Sequence, residues 1–145
     1  MEFLDRLIHA ITVSHPIHPM IVHFPIALSG AAFLFILIAA IKKDRSFEKI
    51  AFANLVLTVF GTLAAGLTGM YDNNVNYLGV APNANLKIIL GVILLAVSAI
   101  TVLIRMRNPE VLFSQGKAMY FGGYLISFVL ATVLGFLGGV ILYGF

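Results

Sequence analysis

The chain has 145 residues, 61% of them hydrophobic and 10% charged, and its mean hydropathy is +1.04. Soluble domains run roughly 45 to 50% apolar with about a quarter of residues charged, so a soluble globule of 15.7 kDa is excluded. Nine Lys and Arg against six Asp and Glu give a net charge of +3, and cysteine is absent, which removes disulfides, iron–sulfur clusters, covalently attached haem and thiol catalysis.

The first thirteen residues place Phe3, Leu4, Leu7, Ile8 and Ile11 at helical spacing, with Glu2, Asp5, Arg6 and His9 on the other side of the wheel. This pattern predicts an amphipathic helix over residues 1–13 lying in the membrane interface. The segment lacks the basic start and small-residue cleavage site of a signal peptide and is expected to be retained.

Next comes Ser14-His15-Pro16-Ile17-His18-Pro19-Met20-Ile21-Val22-His23-Phe24-Pro25, which holds three of the four histidines and three of the five prolines. Proline suits a first helical position, where no intrahelical partner for its missing N–H is needed, so Pro19 is expected to open the first span with His18 near its cap. Pro25 lies inside the span and frees the Ile21 carbonyl, which a neutral His23 can satisfy as donor. The other reading of His15, His18 and His23 is ligation, since neutral imidazole binds haem iron and most transition metals. His18 and His23 stand about 140° apart on a regular helix, so separate tasks are easier to build than one shared ion.

Four stretches are long enough to cross a hydrocarbon core, at about 20–41, 47–70, 86–104 and 118–143, and they form one membrane domain covering 1–145. The predicted fold is all-α, a four-helix membrane bundle. Lys42, Lys43, Arg45, Lys49, Arg105, Arg107 and Lys117 gather at the first and third connections, against Arg6 and Lys87 on the other side. Seven against two puts those connections in the cytoplasm and both termini in the periplasm. The basic charge thus signals membrane orientation, not nucleic acid.

The last span carries a row of small residues, Gly123, Ser127, Ala131, Gly135 and Gly139, and the second span carries Gly61, Ala65 and Gly69. Such rows let helices approach closely, so the second and last spans are expected to meet backbone to backbone, with Asn54, Thr58 and Thr62 turned inward. The same glycines, Gly135 and Gly139 above all, could instead leave room for a flat ligand. Polar residues are expected to converge on the outer half of the bundle, with an almost featureless inner half. The spans hold no carboxylate except Glu48 at one end and no nucleophile beside a base, so a stand-alone enzyme is not expected.

The segment His15 to Leu28 resembles the opening signature of the bacterial membrane proteins called domain of unknown function 2231. Gly66 to Asp72 resembles that family's turn after its second helix, and Leu134 to Gly139 with Leu142-Tyr143-Gly144 resembles its closing motif. The resemblance implies a four-helix protein of the bacterial plasma membrane, in some members associated with Rieske or cytochrome c partners. It implies an electron-transfer subunit binding haem b near the periplasmic face, with His23 as first axial ligand and His18 or another group as second. The alternative is a cofactor-free accessory or scaffold subunit of a respiratory or photosynthetic complex. The expected partners are the lipid bilayer, other membrane subunits or periplasmic cytochrome or Rieske proteins, and a second copy of the chain. The chain departs from the family pattern in reading Asn85-Leu86-Lys87 where many members place a histidine, and Val140 where many place an acid.

Overall fold

The computed structural model describes residues 2–9 and 17–143. It contains a short N-terminal helix, α1 (Glu2–His9), and four long ones: α2 (Ile17–Lys42), α3 (Arg45–Asn76), α4 (Ala84–Arg107) and α5 (Lys117–Tyr143). Each of the four is long and apolar enough to cross a membrane. At about 1.5 Å per residue, the 24 residues of α4 span about 36 Å, more than a hydrocarbon core of about 30 Å. Phe3 and Leu4 of α1 are exposed, and Arg6 pairs with Glu2 one turn away at 3.9 Å.

Short connections make neighbours antiparallel. Between α2 and α3 only Lys43 and Asp44 intervene. Lys43 adopts a left-handed conformation with φ 54°, the Asp44 N–H closes back on the Ala39 carbonyl, and the Asp44 carboxylate caps α3 by accepting from the Ser46 N–H at 2.7 Å. The α3–α4 connection is also tight. Gly79, at φ +82°, donates its N–H to the Asn73 carbonyl at 2.9 Å, while the Asn73 side chain accepts from the Ala81 N–H at 3.0 Å. After α4, Pro109 prevents helix continuation, and a single 3-10 turn, Val111–Phe113, leads to α5.

The helices form a ring in the order α2, α3, α4, α5, each packed on its two neighbours, with the α2–α3 contact the most extensive. The second and last spans, α3 and α5, are therefore diagonal, and the expected backbone-to-backbone meeting does not occur. Their small residues serve other partners. A methyl group at Gly61 would press on Pro25 of α2 at 3.2 Å, one at Gly69 would lie 2.8 Å from the His18 ring, and one at Gly123 would overlap the Thr101 hydroxyl of α4. Gly135 is covered by Ile26 of α2, while a methyl group at Gly139 would meet nothing within 4 Å among the described residues. Small residues thus form adjacent seams, because chain order and short turns set which helices are neighbours.

The expected spans survive with extended ends. α3 runs to Asn76, six residues beyond the expected limit, since Tyr71 to Asn76 contain no breaker and the turn waits for Gly79. Thr58 and Thr62 are buried as expected, and Asn54 is half-buried. All three bond carbonyls of their own helix, at 2.9, 2.8 and 2.9 Å. The apolar core lies toward the basic end, built from Ala32, Ile36, Ala39, Ala51, Leu55, Val111, Leu112, Tyr120 and Tyr124.

Candidate functional site

Polar side chains collect at both ends of the bundle, and the more deeply buried collection is at the basic end. Glu48 stands on the first turn of α3 with 3% of its surface exposed. Arg105, from the last turn of α4, donates Nε–H to Glu48 Oε1 at 2.6 Å and Nη2–H to Oε2 at 3.2 Å. This is the bidentate fork that fits a carboxylate. The Tyr120 hydroxyl donates to the same Oε1 at 2.9 Å, and its oxygen lies 2.8 Å from the Tyr124 hydroxyl. Because Tyr120 gives its proton to Glu48, Tyr124 must donate to Tyr120, forming a chain from Tyr124 through Tyr120 to Glu48. The two rings pack edge to face, with centroids 5.1 Å apart, and the Arg105 guanidinium lies over Phe52 at 5.2 Å.

The inner half is therefore not featureless. One carboxylate joins α3 to its neighbour α4 and, through the long tyrosine side chain, to the diagonal α5. From the sequence alone, Glu48 reads only as a carboxylate at one end of a span. The available signal was spacing: Glu48, Ala51, Leu55, Thr58 and Thr62 continue one inward stripe, which makes the acid a member of the buried face. A second pair, Arg45 with Glu110, ties the start of α3 to the α4–α5 connection on the surface.

At the opposite end, His18 is half-buried against α3. Its Nδ1 is 3.2 Å from Thr68 Oγ1, and Thr68 itself donates to the Ala64 carbonyl at 2.9 Å. The hydroxyl proton being engaged, His18 Nδ1–H is the donor and Nε2 carries the lone pair. Gly69 supplies the space for the ring. His23 is exposed and donates Nδ1–H to the Pro19 carbonyl, not to the Ile21 carbonyl expected from Pro25. Pro25 is buried against Gly61, and α2 is already helical at Ile17, which places Pro19 in the first turn and not at its opening.

His18 and His23 consequently face different sides of α2, one toward α3 and one away from the bundle. His15 lies outside the described residues. Among the described residues no three His, Cys, Asp or Glu side chains come together. The surroundings of His18 and Gly135 are occupied by Thr68, Gly69 and Ile26 side chains and backbone, so they do not fit a haem gripped by His18 and His23 inside one chain.

The family model described as predicted membrane protein (DUF2231) matches residues 14–145. The chain belongs to this family. No curated protein and no solved structure shows a significant match to it. The match covers all four spans, so the histidine segment, the buried Glu48 cluster and the glycine seams all lie within the DUF2231 region.

Proposed function

We propose that this DUF2231 chain is a non-catalytic, cofactor-free accessory subunit of a larger membrane assembly, such as a respiratory or photosynthetic complex of the bacterial plasma membrane. The observation that carries this reading is how the buried polar groups are engaged. Glu48 is held by Arg105 and Tyr120, His18 by Thr68, and Thr58, Thr62, Ser98 and Thr101 by carbonyls one turn back on their own helices. Glu48 and His18 tie helices to one another and the four hydroxyls are satisfied within their own helices, which leaves the broad apolar outer face as the working surface. Intramembrane ionisable residues are by default functional, and here the function of Glu48 and Arg105 is to fix the arrangement that presents that face. The basic connections lie in the cytoplasm in this reading, and the histidine end faces the periplasm. Tagging the chain at its own locus, solubilising membranes in mild detergent and running native gels tests it. Co-migration with other subunits is expected, and a chain that runs alone at its own mass contradicts it.

A second reading is favoured by His23. Its Nδ1–H is oriented by a backbone carbonyl on an exposed face and, among the described residues, Nε2 has no hydrogen-bond partner, the orientation in which a backbone acceptor fixes an imidazole for ligation through its other nitrogen. Haem b would then sit between this chain and another, either a partner subunit or a second copy. A Soret band present in the assembly and lost in His23→Ala supports this reading over the first; an unchanged band removes it.

A further inference from the structure

The described structure has a cleft of about 620 Å³ where α2 ends and α5 begins, lined by the polar Lys43, Ser114 and Lys117 and by the apolar Leu112, Phe113 and Phe121. We propose that this cleft binds the headgroup of an anionic phospholipid, with Lys43 and Lys117 on the phosphodiester and the lipid chains running along the bundle.

Charge is the first support. Neither lysine is in an ion pair among the described residues, and the nearby acids are engaged elsewhere. Asp44 caps α3 through the Ser46 N–H, and Glu110 is paired with Arg45, whose guanidinium lies over Phe113 at 5.8 Å. Two ammonium groups beside apolar side chains suit an anion that carries apolar substance with it. A free phosphate would gain nothing from the phenyl rings.

Position is the second support. The cleft lies at the ends of two spans, the level at which headgroups sit, and basic clefts between transmembrane helices are suited to anionic headgroups. An apolar track leads from it toward the bundle middle. Leu37 is one turn before Ala40 on α2, and Leu125 is one turn after Phe121 on α5; both are exposed. Acyl chains lying on that track would leave the lysines at the water boundary, where long basic side chains hold their charge in any case.

Native mass spectrometry of the detergent-purified chain tests the site, with phosphatidylglycerol and phosphatidylcholine of identical acyl chains as probes. The expected result is retention of phosphatidylglycerol several-fold above phosphatidylcholine, reduced several-fold in Lys43→Gln/Lys117→Gln and unchanged in Lys49→Gln, an exposed lysine outside the cleft. Ala118→Trp, which fills the cleft without altering charge, is expected to reduce retention as well and decides the matter if the double variant loses helix content. Equal retention of the two lipids, or wild-type retention in both cleft variants, overturns the proposal. Displacement of the lipid by glycerol phosphate at equal concentration also overturns it, because the site would then be one for a soluble phosphate.

Discussion

Glu48 is where a single side chain decides most. A carboxylate in a membrane bundle is stable only when its charge is matched and its lone pairs are filled, and Arg105 and Tyr120 supply three donors between them. Removing one partner leaves the other buried and uncompensated, which costs about 3 to 5 kcal/mol. Glu48→Gln is therefore expected to lower the thermal unfolding midpoint in micelles sharply, while Glu48→Gln/Arg105→Met recovers much of the loss. Equal destabilisation by the single and double changes would show that the pair is not coupled. Tyr120→Phe is a milder probe, since it strips one donor from the carboxylate and the acceptor from Tyr124, at a cost of about 1 to 3 kcal/mol. Ser127 behaves oppositely. Its hydroxyl is buried and, among the described residues, the sole buried side-chain polar atom without a hydrogen-bond partner, so Ser127→Ala is expected to leave stability unchanged or raise it in the same assay.

Between elements, the small residues set distance and the turns set neighbours. Gly69 and Gly123 sit where a methyl group would strike His18 and Thr101, whereas one at Gly66 or Gly138 would meet nothing within 4 Å among the described residues. Gly69→Ala and Gly123→Ala are expected to destabilise by about 1 to 3 kcal/mol, and Gly66→Ala and Gly138→Ala to be near neutral. The partner identity can be checked by adding Thr101→Ala to Gly123→Ala, which should restore stability. The four spans and the glycine rows were legible in the sequence because hydropathy and i, i+4 spacing are properties of one helix. Which row meets which helix was not, because that depends on ring order, and two-residue and seven-residue turns with unlike geometry fix it. The same limit hid the Glu48 cluster: its partners Arg105 and Tyr120 lie 57 and 72 residues away, and no local pattern links them. His18 and His23 were legible as residues that point apart, since their spacing alone separates them around α2. Their particular acceptors, Thr68 and Pro19, required the packing of α3 and the shape of the first turn.

At the scale of the whole molecule, the two ends are unequal. The basic end has the apolar core and the buried ion pair, while the other end is joined through Pro25 on Gly61, His18 on Gly69 and Ile26 on Gly135. Native-state hydrogen exchange should accordingly show the slowest amides in the halves of α2, α3 and α5 near Tyr120, with faster exchange toward the histidine end. Orientation is open to a direct test, because the chain has no cysteine of its own. A membrane-impermeant maleimide is expected to label Val80→Cys in intact spheroplasts and Asp44→Cys only after permeabilisation; the reverse pattern would invert the bundle. We propose that His18 packs against α3 and that exposed His23 holds no haem in the assembly. The most direct measurement is the haem content, per copy of this chain, of the assembly captured through it from its own membranes, compared between wild type and His23→Ala. Equal haem content in the two is the expected result, and loss of haem in step with the His23 substitution would contradict it.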